Sequence, residues 1–122
     1  MGGRQTFSRV DRVKKSLIRE VSDIIANRIK NPILSNQIIS VTDIDLSNDL
    51  RYAKIYISVM ADEELRTQIM DVLIQAEPQI RSEVGRRVQL RYTPEIEILY
   101  DDSLERGTRI TQLLEQISKE ES

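Results

Sequence analysis

The sequence predicts an α+β domain: a three-stranded sheet with helices on one face, in the order α-β-β-α-(kink)-α-β-α. Three observations carry this. Residues 9–30 repeat apolar side chains at helical spacing. Residues 37–60 hold two β-branched runs separated by a turn. Residues 62–88 read as helix but contain Pro78.

On a helical wheel, Val10, Val13, Leu17, Val21, Ile24, Ile25 and Ile29 fall within about 160°. Ser8 is the expected N-cap, and Asn31-Pro32 the stop, because a residue before proline is pushed out of the α region. Arg12, Lys15, Arg19 and Lys30 lie opposite the apolar arc, while Lys14 and Arg28 fall inside it and must snorkel. Residues 37–46 read as a strand whose imperfect alternation fits a bulge or a partly exposed face. Ser47-Asn48-Asp49 is turn chemistry, and residues 51–60 alternate cleanly, with Ala53, Ile55, Ile57 and Val59 on the packed side. Asp62 opens a helix over 62–76 with an acidic first turn, which the helix dipole favours. Proline is poorly placed inside a helix, so a kink or a junction of two helices is expected near Glu77-Pro78, with Gly85 a candidate terminator of the second. Residues 94–100 form a third strand. Asp102-Ser103-Leu104-Glu105 starts a last helix with Ile110, Leu113, Leu114 and Ile117 on its buried face. No linker or repeat divides the 122 residues, so one domain is expected over 1–122, with residues 1–8 a flexible tail and 118–122 frayed.

With 39% hydrophobic and 31% charged residues, the chain reads as globular rather than disordered. It has no cysteine and no histidine, which excludes a disulfide scaffold and the usual thiolate–imidazole zinc site. No run approaches the length of a membrane span, and the start has no apolar stretch for a signal peptide, so a cytoplasmic protein is expected, or one of an organelle stroma if a transit peptide has been removed. The net charge of −2 argues against a nucleic-acid binder until its distribution is considered. Residues 1–30 carry eight basic and three acidic side chains, and residues 81–92 four and one, whereas residues 31–80 and 93–122 each carry three and eight. Local potential decides where a polyanion docks, so the two basic segments are the candidate RNA surface: Arg9, Arg12, Lys15 and Arg19 on the first helix, and Arg81, Arg86, Arg87 and Arg91 after the kink. The competing reading is a solvated charged face. Aromatic side chains for base stacking are few; Tyr56, on the outer sheet face, is one candidate.

Asp43 with Asp45, and Asp101 with Asp102, are the carboxylate pairs that could serve chemistry. A polar outer face and helix capping explain them better. Nothing arranges a nucleophile, base and orienting group, and no glycine loop cradles phosphate. Neither an enzyme nor a cofactor nor a metal is expected. A protein–protein adaptor using the acidic sheet is the alternative from a different class.

Several words in this sequence resemble the ribosome-binding factor A family. They are Arg9-Val10 through Glu20-Val21, Ser40-Val41-Thr42, Ser47-x-Asp49-Leu50 and Ala53-Lys54-Ile55-Tyr56-Ile57-Ser58. Then come Ile80-Arg81-x-x-Val84-Gly85, Leu90-Arg91-Tyr92-Thr93-Pro94-Glu95-Ile96, and Tyr100-Asp101-Asp102-Ser103-Leu104-Glu105-x-Gly107-x-x-Ile110. Their order and spacing, over residues 9–117, are specific, although no single piece is a catalytic signature. The resemblance implies a KH-like domain of the second topology. It implies a monomeric factor without chemistry of its own that binds the small (30S) ribosomal subunit late in its maturation, assists 5′-end processing of 16S rRNA, and is linked to growth in the cold. An ordinary KH domain clamps RNA with a GXXG loop. The family has an Ala-x-Gly kink there, and the matching stretch here is Ala76-Glu77-Pro78. Proline keeps a kink but removes an amide donor that could have touched RNA. The long C-terminal tail of some members is also missing.

Overall fold

The computed structural model describes residues 8–103. The expected N-terminal tail up to residue 7 and the expected last helix beyond residue 103 lie outside the described residues. Within them the order is α1 (Arg9–Asn27), β1 (Ile38–Leu46), β2 (Tyr52–Met60), α2 (Glu63–Gln75), α3 (Glu77–Arg87) and β3 (Glu95–Tyr100). A single 3-10 turn, Pro32–Leu34, stands between α1 and β1.

Local chemistry accounts for most boundaries. Ser8 and Asp11 form a reciprocal cap at the start of α1: the Asp11 amide donates to Ser8 Oγ (3.1 Å) and the Ser8 amide to Asp11 Oδ2 (3.3 Å). The helix ends three residues earlier than the sequence predicts. The Arg28 and Ile29 amides both turn back to the Ile24 carbonyl, which widens the last turn and still delivers Ile29 to the core. Asn31, extended before Pro32, then caps the 3-10 turn through its side chain (Ile33 N to Oδ1, 3.0 Å). Asp62 caps α2, accepting from the Leu65 amide at 2.9 Å.

The sheet has the order β1-β2-β3, with β1 antiparallel and β3 parallel to β2. The predicted bulge is real: the register slips between Val41 and Asp43, leaving Thr42 as the extra residue. That slip explains the broken alternation of β1. Ile39 and Val41 face the helices before it, Ile44 and Leu46 after it, and all four pair with inward residues of β2. The β1–β2 turn places Leu50 at φ 63°, with the Leu50 amide bonded to the Ser47 carbonyl and the Arg51 and Tyr52 amides donating to Ser47 Oγ.

The helices cover one sheet face, α1 over β1, and α2 and α3 over β3. Leu17, Val21, Ile24, Ile55, Ile57, Ile69, Leu73, Ile80, Val84 and Ile98 fill the space between. Truncating one such residue to alanine costs about 2–5 kcal/mol, so this core dominates stability.

The junction of α2 and α3 sits at Ala76 (φ −86°, ψ 1°), whose amide is shared between the Val72 and Leu73 carbonyls at 3.1 Å each. Pro78 is the second residue of α3, where a backbone amide has no partner within the helix. Gly85 does not terminate α3, which runs on to Arg87 with Val88 as its cap. It marks a close approach instead: a Cβ at Gly85 would lie 2.9 Å from Thr93 Oγ1 in the loop that leads into β3.

Candidate nucleic-acid interface

The two basic segments meet different fates in the fold. Arg9, Arg12, Lys15 and Arg19 recur every three or four residues, so they stand in one row along the exposed face of α1. Arg19 touches the neighbouring Glu20 (3.3 Å) with its side chain 74% exposed, a contact of little energetic weight.

The segment after the kink is mostly turned to structural use. Arg81 donates through Nε to the Pro94 carbonyl and through Nη2 to the Thr93 carbonyl, each at 3.1 Å, and lies 3.4 Å from Glu95. It fastens the start of β3 to α3. Arg86 donates to Glu83 Oε2 at 2.6 Å. Arg87, less exposed than its neighbours, crosses to α1, where it donates to Asp23 and, at 3.4 Å, to Glu20. Glu83 is only 6% exposed and also has Arg87 and Arg28 at 3.6 Å. The hydrogen bond from Arg86 holds its carboxyl below the ordinary value of 4.5, helped by the charges of Arg28 and Arg87. Asp23 is held below 3.8 in the same way, first by its bond from Arg87 and then by Asn27. Arg87 is pushed up in return by Asp23. These ions zip α3 to α1.

Arg91 differs from the other three. It is exposed, its guanidinium lies 5.6 Å from the Tyr92 ring centroid, and no carboxylate among the described residues pairs with it. Arg51 lies over the same ring at 5.1 Å. Sequence reasoning missed Arg51, because 41 positions separate it from Tyr92. The parallel pairing of β2 with β3 joins them: the Glu95 amide donates to the Arg51 carbonyl at 2.7 Å.

The kink residues divide likewise. Glu77 Oε2 accepts from the Ile98 amide at 2.7 Å, satisfying a donor on the open edge of β3, while Pro78 is exposed beside an open groove that Arg81, Ser82, Arg91 and Thr93 also line. Of the acid pairs, Asp43 receives Lys14 at 2.9 Å. That contact depresses the Asp43 carboxyl and shows where one snorkelling lysine goes. Asp101 accepts from the bulge residue Thr42 (Oδ2, 2.6 Å). Tyr56 is half-buried, facing Asp43 and Leu99 in the two flanking strands. Among the described residues no helix is long and apolar enough to cross a membrane.

Residues 9–114 match the family model described as ribosome-binding factor A. The chain belongs to that family. It is 48% identical over 112 residues to the ribosome-binding factor A of Acetivibrio thermocellus, covering 92% of this chain and 90% of that one. It is 47% identical over 113 residues to that of Halothermothrix orenii, covering 93% and 91%. Among solved structures, the fold is similar to a putative ribosome binding factor A of Thermotoga maritima, with a TM-score of 0.70 at 22% identity over 83% of this chain and 94% of that one. It is also similar to a Thermus thermophilus ribosome binding factor A homology model fitted into a cryo-EM map of a 30S complex. There the TM-score is 0.60 and the identity 25%, over 73% of this chain and 91% of that one. The described element order is that of the KH-like second topology which the sequence resemblance implies, up to β3.

Proposed function

We propose that this protein binds the immature small ribosomal subunit through its RNA, as a non-enzymatic assembly factor that assists late maturation and 5′-end processing of 16S rRNA. It acts in this reading as a cytoplasmic monomer without a cofactor. The supporting observation is the exposed row Arg9, Arg12, Lys15 and Arg19 on α1, in a chain of this family whose Thermus thermophilus relative has been fitted into a 30S complex. Such a row neutralises phosphates and releases counterions, which fixes position with little sequence reading. Arg81 and Arg87 support the surface from beneath by holding the start of β3 and α3, while Arg86 stays largely exposed beside Glu83 of its own helix. Arg91, and Arg51 in addition, add exposed cations where β2 and β3 begin. Of the acids that could serve general acid–base chemistry, Asp43 is tied to Lys14 and Asp101 to Thr42.

Sedimentation of lysates at low salt tests this. The protein is expected to co-migrate with free small subunits and to leave them after RNase treatment. If it stays at the top of the gradient, the proposal fails; if it keeps its partner after RNase, the acidic adaptor reading replaces it.

A further inference from the structure

At the end of the sheet where β2 and β3 begin, Tyr92 and two arginines gather at the surface, while Tyr52 stands on the outer sheet face. Tyr52 is 60% exposed and Tyr92 55%. The Arg51 and Arg91 guanidiniums lie 5.1 and 5.6 Å from the Tyr92 ring centroid. We infer that this Arg51–Tyr92–Arg91 cluster is a stacking platform for unpaired bases of single-stranded RNA. This rests on the RNA-binding reading above but names a site separate from the α1 row.

Several observations converge. The nearby acids are already occupied. Asp49 is bonded to Ser47 Oγ (2.7 Å) and the Arg51 amide (3.1 Å), and Glu95 faces Arg81. Neither guanidinium has a carboxylate within 4 Å among the described residues, unlike Arg28, Arg81, Arg86 and Arg87, although the Arg51 charge helps to lower the Asp49 carboxyl. A guanidinium stacked near an aromatic ring still presents its in-plane donors to phosphate and offers a second flat face to a base. The site is also rigid. Arg81 holds the Thr93 and Pro94 carbonyls, Pro94 is fully buried, and Thr93 abuts Gly85, so Tyr92 stands on a pinned loop. Little conformational freedom is left to lose on binding. Arg81 is thus a positioning residue for the platform. Charge complementarity favours a polyanion, and exposed π-faces favour splayed bases over a duplex, whose bases are stacked on one another.

The test uses the full chain and an end-labelled eight-nucleotide oligoadenylate, alone or paired with its complement, followed by fluorescence anisotropy. Tyr92→Ala is expected to weaken single-strand binding about tenfold, as loss of one base stack does, while Tyr52→Ala, on the outer sheet face, is the control that keeps parental affinity. Tyr92→Phe should stay within about twofold of the parent, because the ring face is kept. The slope of affinity against salt should be unchanged in all three, and thermal melts should coincide, since both side chains are exposed. Parental affinity in Tyr92→Ala overturns the platform; if α1 charge reversal still abolishes binding in that case, the RNA reading stands alone. A parent that binds neither oligonucleotide nor RNase-sensitive subunits removes the RNA reading and the platform with it. A Tyr92→Ala variant that loses the subunit but keeps the oligonucleotide shows that a protein segment occupies the site, which also overturns the proposal.

Discussion

The row on α1 and the arginines that follow the kink look alike in sequence, yet the fold uses them differently. Along α1, the side chains at 9, 12, 15 and 19 project from the face opposite Val13, Leu17, Val21 and Ile24. After the kink, α3 packs between α1 and β3, so its arginines meet Glu20, Asp23 and Glu83 on one side and the Thr93 and Pro94 carbonyls on the other. A cation's role depends on what the tertiary structure puts within about 4 Å of it, and charge density along the chain cannot report that.

The largest expected effect separates the two segments by binding. Arg12→Glu, Lys15→Glu and Arg19→Glu together should lower affinity for small subunits about a hundredfold near 0.15 M salt and flatten the salt dependence by about three contacts. Denaturation midpoints should move little, because surface changes stay within about 0.5 kcal/mol each. Unchanged affinity, read by filter binding or sedimentation, would place the phosphate contacts elsewhere.

Arg81→Ala should do the reverse. It removes two charge-assisted bonds to carbonyls and should cost about 1–2 kcal/mol in urea unfolding, discounted for partial exposure. The salt slope of binding should hold. A slope that drops by one unit with unchanged stability would return Arg81 to the contact surface.

Gly85→Ala tests the packing that holds the same loop. Alanine gains about 1 kcal/mol of helix propensity, but its Cβ meets Thr93 Oγ1 at 2.9 Å, and overpacking of this kind costs about 1–3 kcal/mol. A net loss of about 1 kcal/mol is expected, reversed when Thr93→Ala is added. Additive effects in that double variant would show that the two residues do not press on one another.

The smallest effect is a pH dependence at the α1–α3 zipper. Glu83 and Asp23 have folded-state values below their ordinary 4.5 and 3.8. Their contribution is therefore present above those ordinary values and fades as pH falls through the lower folded ones. Glu83→Gln should be less stable than the parent at neutral pH and converge with it on acidification. Parallel pH–stability curves would show that Glu83 carries no linked proton.

Much of the framework was legible in the residues. Ser8 and Asp62 announced caps, the broken alternation of 37–46 announced a bulge, and Pro78 announced the helix junction. Two of the three features that were read less well share one cause. Gly85 looked like a terminator because glycine often ends helices, but here Thr93 approaches across the chain. The end of α1 was placed at proline, whereas the turn back to Ile24 ended it earlier. Arg51 gave no local signal, because its neighbour Tyr92 arrives only when β3 pairs in parallel with β2.

The sequence by itself determined the periodicities, the caps, the segregation of charge and the family, since each is written in neighbouring side chains or in ordered words along the chain. Only the tertiary structure decided which cations face solvent and which close an ion pair. Glu20 and Asp23 lie more than sixty residues from Arg87, and the Pro94 carbonyl reaches Arg81 only because β3 returns beside α3. Coulomb attraction and hydrogen bonding act over a few ångströms in space, whatever the separation along the chain.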